Sequence, residues 1–307
     1  MSQNLRSRTG LVRRLAAALL AGSVLSTAGC AYLDVKQREW IFRAQRDVQA
    51  MPSDYGLKYE EVWLTVPADR DGARERVYAW WIPGPDAQAP ALLYLHGTRW
   101  SLSNNLFRIQ RLQRMGFAVL AIDYRGFGRS DGDLPSEAYT YADAQAAWEY
   151  LRGRAPDPHR RFVYGHSLGG AVAIELATRN DDVAGLIADS TFTSMREMAE
   201  TMGYSDLVTG PVLTQRFDSL AKIATVSAPI LFVHGGSDRF VPAAMSEKLY
   251  AAAREPKRLL LVESGNHRDA PGAAPEKFRA AVLDLLSIAQ RTAESATRVR
   301  ASAGRGG

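Results

Sequence analysis

Short apolar segments alternate with amphipathic segments along most of the chain. The apolar segments have the length of buried strands and lie near residues 91–97, 117–123, 161–167, 183–190, 228–238 and 257–262. Between them, apolar residues recur at the spacing of one helix face, as in residues 136–153 and 168–179. Strands that alternate with helices form βαβ units. We therefore predict an α/β fold with a mostly parallel central sheet of about eight strands flanked by helices.

The first two strand-like segments have a different pattern. The runs EEVWLTVP and RVYAWWIP are separated by the polar turn ADRDGARE, without a helical segment between them. This arrangement predicts a hairpin, which adds an antiparallel edge to the parallel sheet.

The chain divides into a central domain and two flanking segments. Residues 58–290 carry the alternating pattern, and residues 30–57 include an amphipathic helix predicted over 31–51, with Trp40, Ile41 and Met51 on one face. Residues 291–307 lack apolar periodicity and are predicted to be disordered. Residues 191–227 can form only a short helix or two, which predicts a minimal cap over the sheet.

Residues 1–29 have the form of an export signal. A basic start ends at Arg14, and an apolar run follows that is too short to span a bilayer. The sequence from Thr27 to Cys30 resembles a bacterial lipobox, which implies cleavage before Cys30 and a lipid on that residue. Ala31 resembles a signal for outer-membrane sorting and implies a lipid-anchored protein of the bacterial cell envelope, facing the periplasm. Ordinary signal cleavage, with Cys30 unmodified, is the alternative.

Charge does not indicate a nucleic-acid partner. The sequence has 38 basic and 33 acidic residues, and its isoelectric point is about 9.3. Four of the basic residues lie in the first 29 positions, so the rest of the chain carries 34 basic and 33 acidic residues. A nearly neutral body without a basic stripe does not predict binding to a phosphate backbone.

One serine stands at a corner between a predicted strand and a predicted helix. Ser167 lies in the sequence Gly165-His166-Ser167-Leu168-Gly169, which matches G-x-S-x-G. In a sharp strand-to-helix turn the glycines remove side chains that would collide with the backbone, and the serine hydroxyl is exposed above the sheet. The motif alone is weak, but this setting makes Ser167 a candidate nucleophile.

A serine nucleophile needs a base and an acid that orients the base. His267 follows the last predicted strand, and Asp238 follows the strand before it, so both belong at the carboxyl edge of the sheet with Ser167. Asp189, after the strand at 183–189, is the competing acid. Ser167, Asp238 and His267 follow the chain order typical of this architecture.

The developing oxyanion would need two donors. We predict the backbone N–H of Leu168, next to the nucleophile, and that of Thr98, after the strand that ends in HG. The N–H of Gly97 is the close alternative to that of Thr98.

Together these motifs resemble the α/β-hydrolase superfamily, over roughly Tyr59 to Gln290. The segments DYRGFGRSDG, GHSLGG, PILFVHGGSDRFVP and GNH are similar to those of serine hydrolases related to Bem46 and to alpha/beta hydrolase domain-containing proteins 13 and 17. In place of the HGN of common relatives, this chain has HGT at Thr98. The resemblance implies an α/β-hydrolase fold and a Ser-Asp-His mechanism without a metal or cofactor.

The resemblance also implies a class of substrate. Relatives include esterases, thioesterases that remove palmitate, and peptidases, so we expect cleavage of a small or lipid-like acyl ester or thioester. A peptidase or amidase using the same residues, or a catalytically silent binding protein, are the alternatives. Met195, Met198, Met202 and Tyr204 are spaced to line an acyl groove or, equally, to pack on the core.

Overall fold

The computed structural model describes residues 29–68, 73–205 and 212–303, with side chains described to residue 295. Its strands are β1 (Glu60–Pro67), β2 (Arg74–Ile82), β3 (Ala91–Leu95), β4 (Ala118–Ile122), β5 (Arg161–His166), β6 (Gly185–Asp189), β7 (Ile230–Gly235) and β8 (Lys257–Val262). They form one eight-stranded sheet in the order β1-β2-β4-β3-β5-β6-β7-β8.

The sheet is antiparallel at one edge and parallel elsewhere. β1 and β2 form the predicted hairpin, and β2 pairs antiparallel with β4. From β4 through β3 to β8 every pairing is parallel. The central parallel strands are buried along their whole length, because helices cover both faces of the sheet. The predicted fold class is confirmed.

The helices lie on both faces of the sheet and at its carboxyl edge. They are α1 (29–42), α2 (Leu106–Arg114), α3 (Glu137–Arg154), α4 (Leu168–Arg179), α5 (Met195–Thr201), α6 (Ser219–Ile223), α7 (Ala243–Ala252), α8 (Ala270–Ala273) and α9 (Pro275–Ala303). Single 3-10 turns occur at Pro52–Tyr55, Leu102–Asn105 and Pro158–Arg160. Between β6 and β7 lie α5 and α6, which are both short.

Two hydrophobic clusters, one on each face of the sheet, form the core. One contains Trp148 of α3, Val172 of α4 and Met245 of α7. The other contains Ile109 of α2 and Phe278 of α9. Successive strand residues alternate between the clusters, because side chains of a strand point to opposite faces.

The predicted amphipathic helix over 31–51 is shorter in the structure. α1 ends at residue 42, and the backbone turns at Arg43, whose φ is 45°. The following segment bonds to the body of the protein instead of to itself: Gly128 N–H donates to the carbonyl of Gln45 at 2.9 Å. Ile41 is buried and Met51 packs on the core, so part of the predicted apolar face faces the protein as expected.

The last helix is longer than predicted. A disordered segment was predicted from residue 291, but α9 continues to Ala303. Residues 291–303 contain neither glycine nor proline, and alanine, arginine and glutamate favour the helix even without an apolar stripe. Residues 304–307, and nearly all of the predicted signal peptide, lie outside the described residues. In the part of the chain that the structure describes, no helix is long and apolar enough to cross a membrane.

Candidate active site

Ser167 occupies a strained corner between β5 and α4. Its φ is 55° and its ψ is −120°, a conformation that non-glycine residues rarely adopt. The flanking glycines are required by close backbone contacts: a Cβ on Gly165 would lie 2.1 Å from the carbonyl oxygen of Gly169. A Cβ on Gly169 would lie 2.1 Å from the carbonyl oxygen of Leu95. The G-x-S-x-G spacing thus lets α4 begin directly above the sheet, with Ser167 at its tip.

The structure brings Ser167, His267 and Asp238 together from three loops. His267 Nε2 lies 3.1 Å from Ser167 Oγ, and His267 Nδ1 lies 2.7 Å from Asp238 Oδ2. Both distances are within hydrogen-bond range, which is the geometry needed for a base that is oriented by a carboxylate. All three residues follow the carboxyl ends of parallel strands, β5, β7 and β8, and this shared edge explains their proximity.

Asp238 is held as an ionised carboxylate. Its Oδ1 accepts hydrogen bonds from the N–H groups of Phe240 at 2.8 Å and Val241 at 2.9 Å. Its Oδ2 faces His267 and also His234, whose Nε2 is 3.3 Å away. Burial alone would raise the pKa of Asp238, but the hydrogen bonds from the two histidines and from Val241 N–H hold that pKa well below its usual value.

The two predicted oxyanion donors lie beside Ser167. Leu168 is the first residue of α4, so its N–H has no partner within the helix. Thr98 lines the same cavity as Ser167 and Leu168, and its N–H donates to no acceptor among the residues described. Gly97, the alternative, packs against the nucleophile: a Cβ there would be 3.1 Å from Ser167 Cβ. The N–H groups of Leu168 and Thr98 are therefore available to a ligand.

Ser167 lies between two cavities. The first, of about 210 Å³, is walled mainly by apolar side chains, among them Trp40, Ile41, Leu168, Phe192, Met195 and Met198. The second, of about 160 Å³, is lined by the aromatic rings of Trp100 and Phe240 and by polar side chains that include Asn105, Arg108, His166 and His267. Thr98, Arg99, Ser167 and Phe240 line both cavities. Two parts of one substrate could therefore bind on opposite sides of one hydroxyl, and the buried guanidinium of Arg108 lines only the second cavity of the two.

The methionines in and after α5 fit both interpretations of their spacing, the cavity lining and the core packing. Met195 and Met198 are buried in the core cluster and also line the first cavity. Met202 lines the cavity and is 42% exposed, so it lies toward the mouth. Tyr204 does not line it; its ring packs edge-on against that of Trp40, with centroids 6.5 Å apart.

The competing acid, Asp189, makes no hydrogen bond with the ring of His267 in the described structure. It is fully buried at the end of β6, where it accepts hydrogen bonds from the hydroxyls of Tyr164 and Ser190. Burial raises its pKa, and the guanidinium of Arg108 opposes that rise. Asp189 is thus part of a buried polar network beneath the site.

His166 and His96 have structural contacts. Burial, assisted by Arg108 and His267, lowers the pKa of His166 well below its usual value, so its imidazole is neutral. His166 Nε2 lies 2.9 Å from the carbonyl oxygen of His267 and supports the loop of that residue. His96 Nδ1 lies 2.7 Å from the carbonyl oxygen of Gly97, and burial lowers the pKa of His96 to about 4.

Two residues at the site were not predicted from the sequence. His234, in β7, contacts Asp238 and also has Nδ1 2.6 Å from Ser246 Oγ. Arg108 of α2 lines the second cavity although its helix face is apolar, with Ile109 and Leu112 buried beside it. A charged residue on the apolar face of a helix was the available signal for Arg108. For His234 the signal was a histidine four residues before the candidate acid.

No group of three or more His, Cys, Asp or Glu side chains is placed to hold a metal ion within residues 29–68, 73–205 and 212–303.

Comparisons of sequence identify related proteins. The family described as "Serine aminopeptidase, S33" (Hydrolase_4) matches residues 87–214. An uncharacterized protein of Mycobacterium tuberculosis is 39% identical over 203 residues, covering 64% of this chain and 71% of that protein. The alpha/beta hydrolase domain-containing protein WAV2 of Arabidopsis thaliana is 34% identical, covering 67% and 71%. Protein bem46 of Schizosaccharomyces pombe is 31% identical, covering 70% and 73%.

Solved structures share the fold. The esterase Pf2001 of Pyrococcus furiosus aligns with a TM-score of 0.64 at 23% identity, covering 80% of this chain and 98% of the esterase. An alpha-beta hydrolase of Vibrio vulnificus aligns with a TM-score of 0.65 at 22% identity, covering 80% and 92%. At this identity the similarity concerns the fold.

Proposed function

Because this chain belongs to the Hydrolase_4 family of α/β hydrolases, we propose that it is a serine hydrolase that cleaves acyl esters or thioesters through an acyl-enzyme on Ser167. The observation that carries the proposal is the hydrogen-bonded chain from Ser167 Oγ through His267 to Asp238, placed between two cavities. The esterases among proteins of the same fold support the same class of reaction.

The first half of the reaction forms the acyl-enzyme. Ser167 Oγ attacks the carbonyl carbon of the substrate while its proton passes to His267 Nε2. The oxyanion of the tetrahedral intermediate accepts hydrogen bonds from the N–H groups of Leu168 and Thr98. The bond to the leaving oxygen or sulfur then breaks, and His267 returns the proton to that atom.

The second half releases the acid. Water gives a proton to His267, and its oxygen attacks the acyl carbon on Ser167. Collapse of this intermediate restores the Ser167 hydroxyl, which takes the proton back from His267. Throughout both halves Asp238 fixes the tautomer of His267 and stabilises the imidazolium.

A peptidase or amidase acting through the same residues is the second candidate, because the family description names a serine aminopeptidase. An aminopeptidase must bind a positively charged amino terminus. The described residues that line the two cavities include no carboxylate, and the second cavity contains a buried arginine instead. This lining favours ester or thioester substrates. The intact Ser-His-Asp geometry likewise favours an enzyme over a silent binding protein.

The test is hydrolysis of a 4-nitrophenyl ester series from short to long acyl chains, by protein that begins at Ala31. We expect wild-type activity, and a loss of kcat/KM of at least about 10³-fold in Ser167→Ala, because the acyl-enzyme can no longer form. A folded wild-type protein that hydrolyses no ester, or a Ser167→Ala variant that keeps its activity, would contradict the proposal.

We further propose that Cys30 carries a lipid and holds the protein at the bacterial cell envelope, on the outer membrane facing the periplasm. The lipobox-like sequence supports this, as does the position of Cys30, exposed at the start of α1. Tyr32, Leu33 and Val35, which follow it on α1, are exposed apolar residues. Intact mass spectrometry of the mature protein is the test: a mass without a lipid would refute the anchor.

A further inference from the structure

The two cavities have different roles in an ester hydrolase. His267 must reach the leaving oxygen to protonate it, so the leaving group must lie within hydrogen-bond distance of His267. His267 lines the second cavity and not the first. If Ser167 acts as proposed, the leaving group therefore binds in the second cavity and the acyl group in the apolar first cavity.

The second cavity contains a buried cation. Arg108 is 3% exposed and lines this cavity together with Asn105 and His166. Arg99 also lines this cavity, but it lines the first cavity as well, whereas Arg108 lines the second cavity and not the first. Its Nη1 donates to Asn105 Oδ1 at 3.1 Å, and its Nη2 lies 3.0 Å from His166 Nε2. Its Nε is buried without a hydrogen-bond partner in the described structure. An unpartnered buried donor is costly unless a ligand or water satisfies it.

The neighbours of Arg108 leave its donors incompletely used. His166 is neutral, and its Nε2 also lies 2.9 Å from the carbonyl oxygen of His267, so this nitrogen can serve only one of the two. Asp189 Oδ2 lies 3.8 Å from Arg108 Nε, so its carboxylate balances the charge of the guanidinium but is beyond hydrogen-bond distance. The oxygens of Asp189 already accept from the hydroxyls of Tyr164 and Ser190.

We propose that the second cavity selects a leaving group that carries a carboxylate or phosphate, and that Arg108 is the residue that recognises it. A guanidinium presents N–H donors in a planar fork that matches both anions. The described lining of the cavity includes no carboxylate that would repel such a group. The preferred substrate is then an apolar acyl group joined to an anionic alcohol or thiol. This inference rests on the proposed function.

Two matched pairs of substrates test it. In the carboxylate pair, 4-nitro-3-(octanoyloxy)benzoate is compared with 2-nitrophenyl octanoate, which lacks only the carboxylate. In the phosphate pair, 1-octanoylglycerol 3-phosphate is compared with 1-octanoylglycerol. Within each pair the acyl group is the same, so the ratio of kcat/KM reports the leaving-group cavity. The two pairs distinguish a carboxylate from a phosphate.

We expect wild-type protein to prefer the anionic member of at least one pair, and Arg108→Gln to lower kcat/KM for that member about 10–100-fold. The neutral member makes no ion pair with Arg108, so it should lose less than the anionic member, and the ratio of the two kcat/KM values should fall. Arg108→Lys keeps the charge without the fork and should retain part of the preference. Arg114→Gln, which removes an exposed charge from the same helix, should behave as wild type.

The outcomes separate the inference from the proposed function. Hydrolysis of the neutral esters without any preference for an anionic partner overturns the inference and leaves the esterase proposal standing. If kcat/KM falls equally for both members of a pair in Arg108→Gln, Arg108 has a structural role and the inference is overturned. Arg108→Lys gives the same test if Arg108→Gln does not fold. Failure to hydrolyse any of the four esters overturns the proposed function itself.

Discussion

At the scale of single residues, the site depends on a strained backbone and on the orientation of one imidazole. A non-glycine residue at the conformation of Ser167 costs on the order of 1–3 kcal/mol, which the surrounding structure must offset. The backbone contacts at Gly165 and Gly169 show how tightly β5, α4 and β3 enclose this corner. This strained conformation directs Ser167 Oγ toward His267 Nε2.

Asp238 sets the tautomer of His267. In Asp238→Asn the amide can keep the hydrogen bonds from Phe240 and Val241, but an NH₂ group facing Nδ1 favours the imidazole with its proton on Nε2. That tautomer cannot accept the proton of Ser167. We expect kcat for ester hydrolysis to fall about 10⁴-fold, with little change in thermal stability.

Asp284→Asn provides the control for that change. Asp284 lies on α9 in an exposed ion pair with Arg258, and its replacement should leave kcat unaltered. If Asp238→Asn keeps kcat within tenfold of the wild-type value, Asp238 is not the residue that orients the base.

At the scale of elements, α1 serves as a wall of the apolar cavity. Trp40, near its carboxyl end, lines the cavity and remains 45% exposed. The helix is attached to the domain: Arg99 N–H donates to the carbonyl of Phe42 at 2.8 Å, and Arg38 Nε donates to that of Pro135 at 2.8 Å. A segment that precedes the first strand thus helps to form the site.

This arrangement predicts selectivity for acyl length. Trp40→Ala removes apolar contact from the cavity wall, so we expect kcat/KM for a dodecanoyl ester to fall about tenfold while that for an acetyl ester changes less than twofold. Leu33→Ala, on the same helix but outside the cavity, is the control. Equal effects of Trp40→Ala on both esters would show that α1 does not contact the acyl chain.

At the scale of the whole molecule, the residues at the carboxyl ends and those at the amino ends of the parallel strands have different roles. The carboxyl edge carries Ser167, Asp238 and His267. At the opposite edge, Asp182 joins α3 to the start of β5: its carboxylate accepts from Arg152 Nε at 2.7 Å, Arg161 Nη2 at 2.6 Å and Trp148 Nε1 at 3.0 Å. The hydrogen bonds from Arg152 and Trp148, with the nearby charge of Arg161, lower the pKa of Asp182 to about 2, although partial burial opposes this.

The position of Asp182 predicts a loss of stability without a loss of activity. Because its pKa is lowered, the carboxylate stabilises the fold fully at pH values above its ordinary pKa of 3.8. This contribution is lost as the pH falls from there through about 2. Because the side chain is partly exposed, we expect Asp182→Asn to lower the free energy of unfolding by about 1 kcal/mol at pH 7. At pH 3 the difference should be about half as large.

Urea unfolding at the two pH values measures this difference, beside kcat/KM for an ester. Asp181→Asn, an exposed neighbour, is the control. A difference that stays constant or grows toward pH 3 would show that the charge of Asp182 does not act as described.

The sequence by itself determined the fold class, the strands and most helices, and the candidates Ser167, Asp238 and His267. Apolar periodicity is local, and a parallel sheet places the loops after its strands at one edge, so residues that are far apart in sequence could be assigned to one site. Apolar periodicity alone gave other bounds for both flanking segments. The end of α1 is decided by contacts with the domain, and residues 291–303 are helical through propensity without an apolar stripe.

Only the tertiary structure decided between Asp238 and Asp189 as the partner of His267. Both follow parallel strands and precede His267 in the chain, and the choice depends on which carboxylate the loop of His267 reaches: that of Asp238, at 2.7 Å. The structure alone also placed Arg108 beside His166 in the lining of the second cavity. Local sequence patterns contain no information on such contacts, because their distances are set by how helices pack across the sheet.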